Sequence, residues 1–254
     1  MSMPLTFPAH QAFVLPLKQR WPHRFDGVAL VISAGAPDLG YALPFLPVSS
    51  HSLAGVMVFA LPFTLVYSWL LRRFGLPGLA RLLPPRSAWA RYGSIRPRPP
   101  APWITIWSAL LGAGSHVGID SFTHGSRWGA RTLGLDKVLF NAPNGDFTLA
   151  RAIQYSGHTI GSAVGLWLLW RLAQGRPALD GSWPVRSHQW WAFAGTLLAG
   201  LAISVTLAVI SPTATIFVAG TGLVLTLLAA SVAVEFAAPR QEHSRDDQGG
   251  PLGR

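Results

Sequence analysis

The chain contains no cysteine, which excludes disulfide bridges, thiolate metal ligands and cysteine nucleophiles. Charged side chains are also scarce: Asp, Glu, Lys and Arg make up 12% of its 254 residues, against about 25% in a typical soluble domain. Half of the residues are hydrophobic, and the mean hydropathy is +0.35. This combination argues against an ordinary soluble domain and indicates a membrane protein.

Acidic residues are fewer than basic ones: the chain has ten Asp and Glu and twenty Lys and Arg, which gives a net charge of +10. The arginines fall in polar stretches between apolar runs, without interleaved aromatics on a folded face. They therefore indicate the orientation of the chain in a membrane and contact with anionic lipid. We expect no nucleic acid partner. The sequence also lacks a P-loop, a GxSxG elbow, an HExxH motif and a GxGxxG followed by an acid.

Six apolar runs remain, and most are long enough to cross a bilayer core of about 30 Å. Gly35, Pro37 and Pro44 interrupt the first run, and Asp38 lies in its middle, a pattern typical of a broken helix that lines a cavity. The predicted fold is an all-α polytopic membrane bundle of about six transmembrane helices with a broken first span. The runs are Val28–Pro47, Leu53–Leu71, Trp103–Phe122, Gly157–Trp170, Trp190–Ile210 and Thr213–Val234.

These runs predict five parts of the chain. An N-terminal interfacial segment (1–27), with a short helix from Gln11 to Leu17, precedes a four-span bundle (28–172). A cytoplasmic loop (173–188), a C-terminal transmembrane hairpin (189–236) and a disordered tail (237–254) follow. The positive-inside rule places the Arg-rich loops and both termini in the cytoplasm. The turn around His51 and the connection 123–156 then lie on the outer side.

One apolar run carries two histidines and a carboxylate. His116, Asp120 and His124 are spaced i, i+4 and i+8, which places them near one face of a helix. Imidazole and carboxylate are ligands for a divalent metal, although such groups can also hydrogen-bond to fix helix packing. Three ligand-type groups on one face, with Asp38 and His51 elsewhere, favour the metal.

Other polar residues keep two interpretations at this stage. Asp38 can cap a helix break, ligate a metal, or do both. His51 can be a plain interfacial turn residue, and His158, four positions after Gln154, can be a ligand or a substrate contact. The hairpin Trp190–Val234 contains no ionisable side chain and is most simply a lipid-facing anchor.

Four short motifs in order resemble a known family pattern. They are Phe7-Pro8-Ala9-His10 with Val14-Leu15-Pro16-Leu17, Ala36-Pro37-Asp38-Leu39, His51-Ser52-Leu53-Ala54-Gly55, and Ser115-His116 to Asp120-Ser121-Phe122-Thr123-His124. Over about residues 4–172 the chain resembles the bacterial domain-of-unknown-function family 4184. That family is similar to YdjM-like inner-membrane metal-dependent hydrolases and, more remotely, to the zinc-dependent phospholipase C group. The chain departs from the pattern at Ala60, where an acid is expected, and around Gln154-Tyr155-Ser156-Gly157-His158.

The resemblance implies an all-helical metal site in the bacterial inner membrane. By matching positions, the implied ligands are His10, Asp38, His51, His116 and Asp120, with His124 beside them. The divalent metal is expected to be zinc, which lowers the pKa of a bound water and polarises a phosphoryl oxygen.

The function predicted from all of these residues is a membrane-embedded, metal-dependent hydrolase acting on a phosphoester lipid at the outer face. His124 or His158 is the expected general acid or base, and Arg127, Arg131 and Gln154 are the expected substrate contacts. Two alternatives remain open: transport of a metal ion or protons, and a non-catalytic membrane protein with a degenerate site.

Overall fold

The computed structural model describes residues 7–43, 46–95, 100–143, 145–178, 187–210 and 215–237. The protein is mostly helical, as predicted. Its helices are α1 (Gln11–Arg20), α2 (Gly27–Ser33), α3 (Ala36–Leu39), α4 (Leu53–Gly55), α5 (Leu61–Leu70), α6 (Leu76–Leu82), α7 (Pro102–Thr123), α8 (Trp128–Thr132), α9 (Leu149–Gln174), α10 (Ser187–Ile210) and α11 (Thr215–Phe236).

The predicted first span is several short pieces. Helix α2 begins at Gly27 because the Asp26 carboxylate accepts hydrogen bonds from the backbone N–H groups of Val28 and Ala29. It ends after seven residues, at about 10 Å of length, well short of a bilayer core. Gly35 separates it from α3, and a 3₁₀ turn, Gly40–Ala42, follows. The predicted break at Pro44 lies outside the described residues.

Helices α4, α5 and α6 join into one helical stretch of 30 residues, Leu53–Leu82, through π-helical segments Val56–Ala60 and Leu71–Gly75. We predicted that this span ends at Leu71, before two arginines. The helix instead continues, because Arg72 does not reach solvent at a helix end: it is buried and pairs with Asp26. The predicted loop therefore begins after Leu82.

The connection after α7 is more ordered than predicted. It contains α8 and a two-stranded antiparallel hairpin, β1 (Val138–Phe140) with β2 (Phe147–Thr148). This hairpin corrects the all-α prediction, and the rings of Phe140 and Phe147 stack at 4.7 Å between centroids. Helix α9 begins at Leu149, eight residues before the predicted start, since the Thr148 hydroxyl caps it by accepting from the backbone N–H of Arg151.

Helices α10 and α11 form the C-terminal hairpin, and α11 packs against α6. A Cβ added at Gly78 would overlap the backbone of Ser231, so the two helices approach closely there, and Arg81 Nε donates to Glu235 Oε2 at 3.0 Å. The predicted turn at Ser211-Pro212, residues 179–186 of the predicted cytoplasmic loop, and the predicted tail beyond Ala237 lie outside the described residues.

By length and composition, two helices of the described part can cross a membrane: Leu53–Leu82 and Ser187–Thr206. Gly222–Phe236 is a shorter apolar helix. Helix α7 packs closely on α2, because Gly112 leaves room for the Ser33 side chain and the Leu30 carbonyl. The C-terminal half of α7 therefore lies beside the break between α2 and α3.

Candidate metal centre

Helix α7 places His116 and Asp120 one turn apart, and both are buried, with 0% and 4% of their surface exposed. His116 Nδ1 lies 2.8 Å from the carbonyl oxygen of Ala34, at the break after α2. A carbonyl only accepts, so this ring nitrogen carries the proton and donates it. In the neutral ring, the other nitrogen, Nε2, then has the lone pair that a metal ligand needs.

Two further ligand-type residues come from short elements. Asp38 lies in α3, directly after the Gly35 break, and His51 lies in the turn before α4. His51 Nε2 is 3.2 Å from Asp38 Oδ1, 3.2 Å from His116 Nε2 and 3.4 Å from Asp120 Oδ2. Its Nδ1 lies 3.1 Å from the Ser50 hydroxyl, which fixes the ring orientation.

The four side chains of Asp38, His51, His116 and Asp120 each offer one ligand atom, and these atoms all lie within 4.8 Å of one another. Two more distances complete the geometry: His116 Nε2 lies 3.4 Å from Asp38 Oδ1 and 3.6 Å from Asp120 Oδ2. Tetrahedral ligands about 2.1 Å from a zinc ion lie about 3.4 Å apart. The buried His/Asp cluster could thus hold a metal ion.

His10, the fifth predicted ligand, lies beside this cluster. Its ring stacks on His116 with centroids 4.0 Å apart, and its Nε2 lies 3.6 Å from Asp120 Oδ1. Its Nδ1 is buried without a hydrogen-bond partner among the described residues. Burial, reinforced by the neighbouring His116, lowers the pKa of His10 to about 3, so its ring is neutral and able to ligate at neutral pH.

His124 departs from the predicted ladder because α7 ends at Thr123 and His124 adopts extended backbone angles. Its Nδ1 still lies 3.8 Å from Asp120 Oδ2 and 3.2 Å from the Asp120 carbonyl. The buried Gln154 amide nitrogen lies 3.1 Å from His124 Nε2. Burial lowers the pKa of His124, and the residue lies beside the cluster, in contact with Gln154 and Asp120.

The predicted substrate residues lie at different distances from the cluster. Arg127, with His51, lines a cavity of about 300 Å³ whose other described walls include Ser121 and Trp128. The His158 ring lies 6.2 Å from that of His10, on the α9 side. Arg131 is exposed on α8, and the structure does not bring it to this cavity.

Sequence reasoning missed three groups that hold the ligands. Tyr41 stacks on His51 at 4.5 Å, and its hydroxyl accepts a hydrogen bond of 3.1 Å from Arg127. The Ser50 hydroxyl and the Ala34 carbonyl orient the rings of His51 and His116. Ser50 directly precedes His51, so sequence adjacency was a usable signal. A backbone carbonyl leaves no residue-type signal in a sequence.

Comparison with known families and proteins identifies the family of the chain. The sequence model of the family described as Domain of unknown function (DUF4184) covers residues 3–237, so the match extends through the C-terminal hairpin, beyond residues 4–172 over which the resemblance is predicted. No curated protein and no solved structure matches the chain.

Proposed function

The chain belongs to the DUF4184 family, and we propose that it is a membrane-embedded hydrolase whose buried His/Asp cluster binds a divalent metal. The observation that carries the proposal is the convergence of two imidazole nitrogens and two carboxylate oxygens within 4.8 Å of one another. A hydrogen-bonded packing cluster needs no such four-way convergence, whereas a tetrahedral metal site does.

The donor set fits zinc best. Two imidazoles and two carboxylates suit a borderline divalent ion, and the absence of cysteine excludes thiolate sites. Zinc, when bound, supplies a water of lowered pKa and polarises a phosphoryl oxygen. His10 is a candidate for a further ligand, because its ring is neutral and buried, and its Nδ1 has no hydrogen-bond partner among the described residues.

The chain's own residues provide the remaining functions of a phosphoester hydrolase. Arg127 reaches the cavity beside His51 and offers a guanidinium to an anionic oxygen of the substrate. His124, held by Gln154, and His158 are the proposed general acid and base. An anion-binding arginine in a chain of this hydropathy favours a phosphoester lipid as substrate.

We place this site in the bacterial inner membrane, with the His/Asp cluster near the outer face and six spans, the first of them broken into α2, α3 and the 3₁₀ turn. The N-terminal segment is then re-entrant, since His10 stacks on His116. Support comes from the two helices long and apolar enough to span a bilayer. It also comes from the arginine-rich segment between α6 and α7, which the positive-inside rule puts in the cytoplasm.

Proton or metal-ion transport is the second candidate, because buried polar groups continue along α7 away from the cluster. Ser33 Oγ lies 3.5 Å from the Ser108 carbonyl, the Ser108 hydroxyl accepts from the Asp26 N–H at 2.8 Å, and Thr105 donates to Asp26 at 2.8 Å. A Ser108→Ala variant separates the two functions. If these buried polar groups conduct ions, the variant should abolish ion flux into proteoliposomes. If they do not, the variant should leave lipid hydrolysis unchanged.

The metal is tested by elemental mass spectrometry of detergent-purified protein. We expect one or two zinc ions per chain in the wild type, and loss of that metal in His116→Ala and Asp120→Asn. Ser115→Ala is the matched control, since the Ser115 hydroxyl donates to the Gly112 carbonyl of its own helix. Wild-type protein that takes up no metal after growth with added zinc would refute the metal centre.

Hydrolysis is tested on the metal-loaded protein with mixed phospholipid vesicles, by mass spectrometry of the released products. We expect cleavage that falls at least about tenfold in Arg127→Gln, because the substrate phosphate loses a charged donor. Arg131→Gln, on the same short helix region but away from the cavity, is the control. Stoichiometric metal without any lipid turnover would instead support a non-catalytic protein with a degenerate site.

A further inference from the structure

A second cavity lies at the opposite end of α7 from the His/Asp cluster. Its volume is about 460 Å³, and Asp26 lines it. Asp26 accepts a hydrogen bond from Thr105, which precedes His116 by eleven residues, or about 16 Å of helix. The cavity is therefore separate from the metal centre, and a ligand bound in it is independent of the proposed hydrolase.

The charges in this cavity do not balance. Among its described lining residues are three cations, Lys18, Arg72 and Arg176, but one carboxylate, Asp26. Asp26 is already used: it pairs with Arg72 and accepts from Thr105 and from two backbone N–H groups of α2. Lys18 and Arg176 are left as excess positive charge.

The two excess cations are also short of partners. Arg176 Nε is buried without a hydrogen-bond partner among the described residues, and its guanidinium lies over the Tyr92 ring at 5.7 Å. Lys18 Nζ donates to two backbone carbonyls, those of Pro22 and Phe25, and keeps a third proton. Burial lowers the pKa of both groups, and the repulsion from Arg72 adds to it. An anion bound between Lys18 and Arg176 would offset both the unfavourable burial of these cations and their repulsion by Arg72.

Most of the remaining wall is apolar, with Leu71, Leu76, Leu169 and Leu172 among its residues. A small inorganic anion would leave that surface uncovered, whereas a neutral lipid would leave the cations unpaired. The volume falls in the range of about 300–1,000 Å³ that holds single small ligands. We infer that this cavity binds a single-chain amphiphile with an anionic head group, its head between Lys18 and Arg176 and its chain against the leucines.

The test measures saturable binding of radiolabelled hexadecanoate to the delipidated full chain in neutral detergent at mildly alkaline pH. We expect one site per chain. Unlabelled hexadecyl phosphate should compete like hexadecanoate, while hexadecanol should compete at least about tenfold less, since it lacks the charge. Dioleoyl phosphatidylglycerol in the same detergent forms a further arm: competition as strong as that of hexadecanoate would overturn the single-chain assignment and identify a two-chain membrane lipid as the source of the anion.

Arg176→Gln and Lys18→Met should each weaken hexadecanoate binding about tenfold. Arg171→Gln is the matched control, because Arg171 stacks on Trp167 at 5.1 Å and does not line the cavity. If Lys18→Met fails to fold, the loss of hexadecanoate binding in Arg176→Gln still tests the inference. Equal competition by hexadecanol, equal weakening in Arg171→Gln, or no saturable binding would each overturn the inference. Chelator and added zinc should leave binding unchanged, so failure of the metal centre is a separate result.

Discussion

At the scale of single residues, the two aspartates near the first apolar run, Asp26 and Asp38, have different structural roles. Asp26 and Asp38 both precede or interrupt the first apolar run, yet Asp26 caps α2 and pairs with buried Arg72, whereas Asp38 faces two histidines. The difference comes from which side chains fold against each carboxylate. Arg72, which we read as an orientation signal, is instead part of the buried interior.

The ion pair gives a prediction for stability. Arg72→Met should lower the free energy of unfolding by about 3 kcal/mol, because it leaves the Asp26 carboxylate buried and unpaired. Adding Asp26→Asn should recover much of that loss, since the asparagine carbonyl oxygen still caps the helix. Its NH2 group, in the place of Oδ2, can donate to the Thr105 hydroxyl. Thermal unfolding of both variants in detergent provides the comparison. A double variant no more stable than Arg72→Met would show that the ion pair itself is not the source of the loss.

His10 gives a prediction for pH dependence of the metal-free protein. Its pKa is about 3 in the folded chain against 6.5 unfolded, so between these values only the unfolded chain binds the proton. The stabilisation is complete above about pH 6.5 and decreases as the pH falls toward about 3, by up to about 1.4 kcal/mol per pH unit.

Unfolding of chelator-treated protein across this range, beside His10→Gln, checks the prediction. The variant should show a shallower loss of stability with falling pH, while His23→Gln, an exposed residue of the same segment, should follow the wild type. Parallel curves for wild type and His10→Gln would contradict the burial of a neutral His10.

At the scale of elements, α9 positions the backbone just before His10. A Cβ added at Gly165 would overlap the Pro8 carbonyl, and one added at Gly161 would lie 3.2 Å from the Ala9 carbonyl oxygen. Two glycines one turn apart therefore let the backbone just before His10 lie directly on α9. The resemblance pointed to His10, but no pattern in the sequence pairs these glycines with Pro8.

Gly165→Ala should consequently lower the melting temperature and weaken zinc binding, because the backbone of Pro8 cannot yield as a flexible side chain would. Gly157→Ala, on the same helix, has no atom within 4 Å of the added Cβ. That control should leave zinc binding unchanged and stabilise the protein by up to about 1 kcal/mol through helix propensity. Zinc titration and thermal unfolding measure both effects. Equal behaviour of the two variants would argue against the close packing of α9 on Pro8.

At the scale of the whole molecule, the His/Asp cluster and the cavity lined by Lys18 and Arg176 lie at opposite ends of α7. The proposed topology puts the first near the outer face and the second near the cytoplasm. The native chain has no cysteine, so single cysteines can be introduced without background labelling.

In intact bacterial cells, Ser126→Cys should react with a membrane-impermeant maleimide, because Ser126 is exposed close to the metal cluster. Arg86→Cys, exposed in the arginine-rich segment after α6, should react only after the cells are permeabilised. The same accessibility for both positions in intact cells would rule out the proposed orientation.

Much of the fold was predictable because it depends on local composition. Long apolar runs predicted α7, α9 and the C-terminal helices, and glycine and proline predicted the break that carries Asp38. The hairpin of β1 and β2 was not predicted, since its two strands are too short to show alternation. The continuation of the helix beyond Leu71 was missed because burial of Arg72 depends on a partner 46 positions earlier.

The sequence by itself determined the hydropathic class, the mostly helical fold, the family and the residue types able to bind a metal. These follow from composition and from motifs that each occupy a few consecutive positions. Only the tertiary structure decided that Asp38, His51, His116 and Asp120 converge, that His124 turns aside at the end of α7, and that Lys18 and Arg176 meet at a second cavity. Such meetings depend on helix breaks, close glycine contacts and long-range packing, which fix distances between side chains that are remote in sequence.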